Sequence, residues 1–162
     1  MFQFWPYDAR MITSDAITWN ASLEEHPARS AAQRSFSAVA KGDLDEWLTV
    51  YAEDAVVEDP VGPSMFDPEG KGHHGHEGLR AFWELAIAPI ATFEFEINES
   101  FAYAQCAASL GRIKTSFPDG SYTVTDLITV HEVNEDGRVV SMKAYWEPDR
   151  TMASFTAAPA AE

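Results

Sequence analysis

Alternating apolar and polar residues in the second half of the chain restrict the possible folds more than any other feature of the sequence. Residues 93–98 read Phe-Glu-Phe-Glu-Ile-Asn, which is the pattern of a strand that buries one face. Longer strand-like segments, separated by glycine-containing turns, follow at about 101–116, 121–133 and 138–147. These segments predict an antiparallel meander.

The first half of the chain instead carries apolar residues at helical spacing. Pro27 suits the first turn of a helix that reaches about Lys41, and Gly42 is typical of a helix end. Asp43 and Glu46 resemble a capping box that begins a second helix. The apolar residues of this second helix are Leu44, Trp47, Leu48 and Tyr51. A third helix, ended by Pro89, has an apolar face formed by Leu79, Phe82, Trp83 and Ala86.

Helices followed by a meander predict an α+β fold, in which a curved and mostly antiparallel sheet carries three helices on one face. Such a sheet encloses a conical apolar pocket that suits a small molecule. The length of 162 residues fits one domain. We assign this domain to residues 27–154, with an N-terminal extension at 1–26 and a flexible tail at 155–162.

The charge of the chain argues against a role in nucleic-acid binding. There are 26 acidic and 11 basic residues, so the formal charge is −15, whereas nucleic-acid binding requires a basic surface. We also expect no membrane association, because no apolar run is long enough to span a bilayer. The first residues lack the pattern of a secretory leader, which favours a cytoplasmic location. The single cysteine, Cys106, excludes an intramolecular disulfide.

Two adjacent carboxylates lie at the end of a short predicted strand, 56–58, and precede a proline. Because neighbours in an extended chain point to opposite faces, only one of Glu58 and Asp59 can face the interior. A carboxylate at the mouth of an apolar pocket is desolvated, which makes it a better base for a carbon-bound proton. On local composition alone, the alternative of a solvent-exposed Asp-Pro turn is favoured.

Three segments of the chain resemble the ketosteroid isomerase family within the NTF2-like/SnoaL-like superfamily. They are YAEDAVVEDPVG at 51–62, GHEGLRAFW at 75–83 and EDGRVVSMKAYW at 135–146. The resemblance implies that Asp59 is a general base that moves a proton within a steroid-like or polycyclic ketone. It further implies that Trp146 lines the pocket, that Tyr51 supports the hydrogen-bond network, and that no cofactor is needed.

The electrophilic side of the site departs from the family pattern. The positions of the family's oxyanion-binding tyrosine and aspartic acid fall at Ser35 and Thr129, and Trp83 replaces a further tyrosine. Ser35 and Thr129 are hydroxyl donors but are less acidic than the groups they replace. We therefore expect weak isomerase activity, with substrate binding by Tyr51, Phe82, Trp83, Asp126 and Trp146.

Two other functions stay open from the sequence. The same pocket would serve a non-catalytic binder of apolar polycyclic ligands, or a related cyclase, dehydratase or epoxide hydrolase. An epoxide hydrolase of this superfamily is expected to hold an Asp-Arg-Asp set around a water, for which Arg112 would supply the arginine next to Asp59 and Asp126.

The remaining chemistry-bearing residues have simpler interpretations. The histidines of the segment 73–76 suggest a metal site, but no further ligands at a recognised spacing support it, so no metal is expected. His131 is interpreted as a hydrogen-bonded histidine of the sheet, in preference to a role in the pocket. Apolar residues on both faces of the segment 121–133 predict that the open face of the sheet is covered. The family resemblance implies that a second subunit covers it, giving a homodimer.

Overall fold

The computed structural model describes residues 12–160, and the side chains from Asp15 onward. The helices are α1 (Pro27–Lys41), α2 (Leu44–Val50), α3 (Gly75–Phe82) and α4 (Pro148–Ala153), with a π-helical turn (Trp83–Ile87) directly after α3. The strands are β1 (Ile12–Ser14), β2 (Ile17–Trp19), β3 (Tyr51–Glu58), β4 (His73–His74), β5 (Thr92–Tyr103), β6 (Cys106–Ser116), β7 (Tyr122–Val133) and β8 (Val139–Tyr145).

All eight strands join one sheet in the order β1-β2-β5-β6-β7-β8-β3-β4. The pairs β2–β5 and β3–β8 are parallel and the other pairs are antiparallel. Helix α1 packs across β5, β6 and β7, while α3 packs against β3. The predicted α+β fold is therefore confirmed, with the meander β5–β8 as its largest part. Within residues 12–160, no helix has the length and apolar character needed to cross a membrane.

The ends of the first two helices follow the sequence signals. His26 caps α1 by accepting a hydrogen bond from the Ala28 N–H at 3.1 Å, and Gly42 ends it in the left-handed conformation at φ 68°. Asp43 caps α2 through the Glu46 N–H at 2.9 Å. The Glu46 carboxylate does not complete a capping box, because it pairs with Lys41 instead at 3.3 Å.

Two of the predicted element bounds are wrong. Helix α2 ends at Val50, and Tyr51, which was placed on its apolar face, begins β3 in an extended conformation. The predicted strand at 101–116 is two strands, because the chain reverses at Ala104, where φ is 51°. No glycine marks this reversal, so the apolar pattern alone does not reveal it.

The ends of the chain contribute to the domain within the described residues. Strands β1 and β2 lie in the predicted N-terminal extension, and Trp19 in β2 is only 2 % exposed, in an apolar cluster with Phe36 and Phe95. Residues 1–11 lie outside the described residues. In the predicted tail, Thr156 forms two backbone hydrogen bonds with Tyr122, of 3.0 and 2.9 Å. The tail is thus attached to β7 at this point.

Candidate active site

The concave face of the sheet and the helices enclose a cavity of about 230 Å³. Met65 and Met152 line one end of the cavity and are more than half exposed, so they mark its mouth. Ser35, Tyr51 and His131 also line the cavity but are almost fully buried, so they mark its inner end. Between the two ends the wall is mainly apolar and aromatic, as in Phe66, Phe82, Phe93, Phe95 and Trp146.

Asp59, directly after β3, is the carboxylate that faces the cavity. Its Oδ1 accepts a hydrogen bond of 2.6 Å from the Trp146 indole N–H. Burial raises the pKa of the Asp59 carboxyl, and the Trp146 hydrogen bond opposes this rise. Glu58 instead lies 3.8 Å from the Lys143 ammonium, so the two adjacent acids have different surroundings. The Asp59–Pro60 peptide bond is cis.

Buried hydroxyl groups form a small network at the inner end. The Ser35 Oγ lies 3.0 Å from the Tyr51 hydroxyl and accepts a 3.0 Å hydrogen bond from the Trp47 indole N–H. Burial raises the pKa of the Tyr51 phenol well above its usual range, and the charge of Asp59 adds to the rise. Asp59 and this network are therefore close enough to interact electrostatically.

Thr129 and His131, two residues apart on β7, line the cavity with side chains on the same face of the strand. The Thr129 Oγ1 and the His131 Nδ1 are buried, and neither forms a hydrogen bond within the described residues. Burial lowers the pKa of His131 to about 4, so the ring is neutral at pH 7. The interpretation of His131 as a hydrogen-bonded sheet residue is therefore wrong. Its spacing of two residues from Thr129 was the signal that would have placed it in the pocket.

Two of the predicted substrate-binding residues do not line the cavity. Asp126 alternates with the inward residues of β7 and therefore lies on the outer face of the sheet, where Arg112 and Arg150 each contact it at 2.8 Å. The hydrogen bond from Arg112 lowers the pKa of Asp126. Trp83 is buried behind the cavity wall, with its ring centroid 5.3 Å from that of Trp47. The π-helical turn that begins at Trp83 directs Ala86 and Ile87 to the cavity instead.

The position of Asp126 also bears on the epoxide hydrolase hypothesis. The Arg112–Asp126 pair lies on the outer face, whereas Asp59 faces the cavity, so the three residues do not form an Asp-Arg-Asp set.

The histidines of the segment 73–76 include two that contact the backbone. The ring nitrogens of His74 and His76 contact the backbone oxygens of Lys71, at 2.7 Å, and Tyr51, at 3.0 Å. Among residues 12–160, no three His, Cys, Asp or Glu side chains are grouped as metal ligands would be.

Comparisons with known proteins show the family to which this chain belongs. The family described as SnoaL-like domain matches residues 32–142. A steroid Δ-isomerase from Nocardioides simplex is 33 % identical over 121 residues, which cover 74 % of this chain and 89 % of that protein.

The chain is also similar to solved structures of related proteins. The Δ5-3-ketosteroid isomerase from Mycobacterium sp. matches with a TM-score of 0.72 and 28 % identity, over 82 % of this chain and 98 % of that one. A protein from Mycobacterium tuberculosis, solved in complex with estradiol-17beta-hemisuccinate, matches with a TM-score of 0.72 and 29 % identity, over 82 % and 99 % of the two chains.

Proposed function

The chain belongs to the SnoaL-like family as a ketosteroid isomerase-like member of the NTF2-like superfamily, and on this basis we propose that it is a cofactor-independent isomerase of steroid-like or polycyclic ketones. The observation that carries the proposal is Asp59, whose carboxylate faces an apolar cavity and whose pKa is raised by burial. A base with a raised pKa is better matched to a weakly acidic carbon-bound proton. The apolar wall suits the rings of such a ligand. The similar protein from M. tuberculosis, solved with a bound estradiol derivative, supports the same class of ligand.

The proposed reaction moves one proton without any net redox change. The Asp59 carboxylate takes a proton from a carbon next to the ligand carbonyl, and the C–H electron pair becomes a new C=C bond. The carbonyl π electrons move to the oxygen, giving a dienolate. Asp59, now protonated, returns the proton to a more distant carbon of the conjugated system, which restores the carbonyl. The transferred proton thus begins and ends on carbon.

The Ser35–Tyr51 pair supports the oxygen side of this reaction. The Ser35 oxygen already accepts the Trp47 N–H. When Tyr51 donates to the same oxygen, both lone pairs are occupied, and the Ser35 proton is left to donate into the cavity. Donors fixed in a site without water stabilise a developing negative charge strongly. Thr129, which also lines the cavity, offers a second hydroxyl donor.

The test of the proposal is the conversion of 5-androstene-3,17-dione, followed by the ultraviolet absorbance of the conjugated enone. We expect slow conversion by the wild-type protein, and its loss in Asp59→Asn. Saturable binding without conversion would contradict the isomerase and support the second candidate, a non-catalytic binder, which the apolar wall also favours. Absence of both binding and conversion would contradict this class of ligand.

The hydrogen bond from Trp146 predicts a change in the pH dependence of the reaction. Because this bond opposes the rise in the Asp59 pKa, Trp146→Phe should raise that pKa further. Asp59 must be ionised to act as a base, so the acid limb of the kcat/KM profile should move to higher pH in the variant. Phe66→Leu, a change at a neighbouring aromatic ring without a hydrogen bond to Asp59, is the control. An unshifted acid limb in Trp146→Phe would contradict the role of Asp59.

The homodimer stays part of the proposal. Leu110, Ile128 and Tyr145 lie on the outer face of the sheet and are each 44–48 % exposed. We expect a second copy of the chain to cover this apolar surface. Light scattering at micromolar concentration should give twice the mass of 17.9 kDa for the wild type, and the mass of one chain for Ile128→Lys. A wild-type protein of single-chain mass would refute the dimer. The cytoplasmic location stays a prediction.

A further inference from the structure

His131 occupies an apolar environment at the inner end of the cavity. On the neighbouring strands its register partners are Ala107 and Met142, and the Phe36 ring lies edge-on to the imidazole at 5.7 Å between centroids. The residue is 1 % exposed, and its Nδ1 has no hydrogen-bond partner among the described residues. A buried polar atom that stays unpaired lowers stability. The His131 residue also lines the cavity, so a polar group of a bound ligand is the nearest available partner for the imidazole.

Thr129 shares this property. Its Oγ1 is also buried and unpaired within the described residues, and it lies one inward position away on β7, roughly 6.6 Å along the strand. Both side chains line the same cavity, whose wall is otherwise mainly apolar. Ser109, the register partner of Thr129 on β6, also has a buried and unpaired hydroxyl within the described residues, but it is not among the residues that line the cavity. Thr129 and His131 are therefore the two of these residues that can offer a site to a polar group of a ligand.

The register of the sheet relates this pair to the base. The Val61 N–H donates to the Ala144 carbonyl at 2.9 Å, which holds the chain just after Asp59 beside Ala144. Ala144 is in turn the register partner of Thr129. Asp59 thus lies level with Thr129 along the cavity, and His131 lies one position further inward. Two strand spacings, roughly 9.6 Å, separate the backbones at Asp59 and Thr129 across β8, and the carbons of a ligand held by Thr129 and His131 would occupy this gap.

We propose that His131 is a catalytic hydrogen-bond donor, whose imidazole N–H binds the ligand's carbonyl oxygen together with the Thr129 hydroxyl. This inference rests on the proposed isomerase activity. It adds an imidazole N–H to the hydroxyl groups that donate to the ligand oxygen. When Asp59 takes the carbon-bound proton, the oxygen gains negative charge and both hydrogen bonds strengthen; neither donor loses its proton. The ligand is a flat ketone, or a phenol as its stable mimic, that enters with its oxygen leading.

The neutral state of the ring suits this role. Because burial lowers the pKa of His131 to about 4, the imidazole carries one N–H and no charge at pH 7. Neutral imidazole acts as an electrophile of this kind in triosephosphate isomerase, where it polarises a carbonyl. An uncharged donor binds the neutral ketone without a large desolvation penalty, and stabilises the charge only once it develops.

The inference is tested with 2-naphthol, a flat phenol whose ionised and neutral forms absorb differently. The variants are His131→Leu, His131→Gln, which keeps an N–H donor, and Thr129→Val, with Glu132→Gln on the outer face of β7 as the control. We expect the 2-naphthol bound to the wild-type protein to be ionised to a larger fraction than the 2-naphthol free in solution at the same pH. This fraction should fall in His131→Leu and Thr129→Val, and should be largely kept in His131→Gln and the control.

Kinetics with 5-androstene-3,17-dione provide the second readout. Loss of one oxyanion donor in His131→Leu should lower kcat by about 10²-fold with little change in KM. Far-ultraviolet circular dichroism shows which variants are folded, and if His131→Leu is not folded, Thr129→Val and His131→Gln still decide the matter. An ionised fraction that stays at the wild-type value in Thr129→Val and in a folded His131→Leu would overturn the inference.

The two levels of the proposal fail in different ways. Wild-type protein that ionises naphthol through His131 but forms no enone contradicts the isomerase and supports the oxygen site. Turnover that Asp59→Asn abolishes, but that His131→Leu and Thr129→Val leave unchanged, contradicts the oxygen site and supports the isomerase.

Discussion

Asp59→Asn is expected to lower kcat/KM for enone formation by about 10²–10⁴-fold, the usual contribution of a general base. An amide of the same size has no lone pair basic enough to take a carbon-bound proton. It still offers an oxygen to the Trp146 N–H, so the geometry of the cavity should be kept. Glu58→Gln, a change of the adjacent carboxylate that pairs with Lys143, is the matched control and should leave turnover unchanged.

The same substitution is expected to raise thermal stability at pH 7. The pKa of Asp59 is raised in the folded protein, so the folded state holds this proton more tightly than the unfolded chain does. The contribution of Asp59 to the free energy of unfolding therefore falls as the pH rises from the pKa of this group in the unfolded chain to its pKa in the folded protein. The fall is about 1.4 kcal/mol for each unit by which folding raises the pKa. Asparagine does not titrate and removes this loss. Calorimetry at pH 7 should show a higher Tm for Asp59→Asn than for wild type; an unchanged or lower Tm would contradict the desolvated carboxylate.

His131 predicts a loss of stability at acid pH. Its pKa falls from 6.5 in the unfolded chain to about 4 in the folded protein, so the unfolded state binds the proton more tightly between these values. The free energy of unfolding should therefore decrease as the pH is lowered from 6.5 to about 4, by about 3 kcal/mol from this group alone. The loss should be complete near pH 4 and absent at pH 7.

Urea denaturation of wild type and His131→Gln at pH 7, 5.5 and 4 measures this effect. Other groups titrate in the same range, but they are common to both proteins, so the difference between the two isolates His131. His74→Gln, at an exposed histidine, is the control and should follow the wild type. Parallel curves for wild type and His131→Gln would show that His131 is not buried in a neutral form.

Local sequence signals were sufficient for much of the fold. The helix caps at Asp43 and Gly42 and the alternation after Thr92 predicted elements whose positions depend on neighbours in sequence. The start of β3 at Tyr51 depends on pairing with β8, nearly ninety residues later, and no local pattern reports that. The reversal at Ala104 uses a left-handed alanine, which is rare enough to be missed.

The residues of the candidate site also differ in how well the sequence predicted them. The expected places of Asp59, Ser35, Thr129 and Trp146 came from a resemblance to a known family, and all four line the cavity. For His131 a place in the sheet was preferred to a pocket role, because an apolar environment and an unpaired nitrogen are properties of three-dimensional packing that the sequence does not show. Asp126 was misplaced because its carboxylate suggested chemistry, whereas strand alternation puts it on the face opposite Thr129. Trp83 was misplaced because a π-helical turn changes which side of the helix faces the cavity.

The two ends of the cavity come from different kinds of structure. The inner end and the base are held by α1, β7 and the segment that starts with β3, whereas the mouth is formed by Met65 in a loop and Met152 in the short helix α4. Methionine is flexible and tolerates substitution. We therefore expect mutations at the mouth to alter which molecules enter the cavity without disturbing Asp59 or the hydroxyl groups at the inner end. Under the proposed function, a lineage that shares this architecture is able to diversify its ligands while it retains one reaction, since the mouth and the proposed base belong to separate segments of the chain.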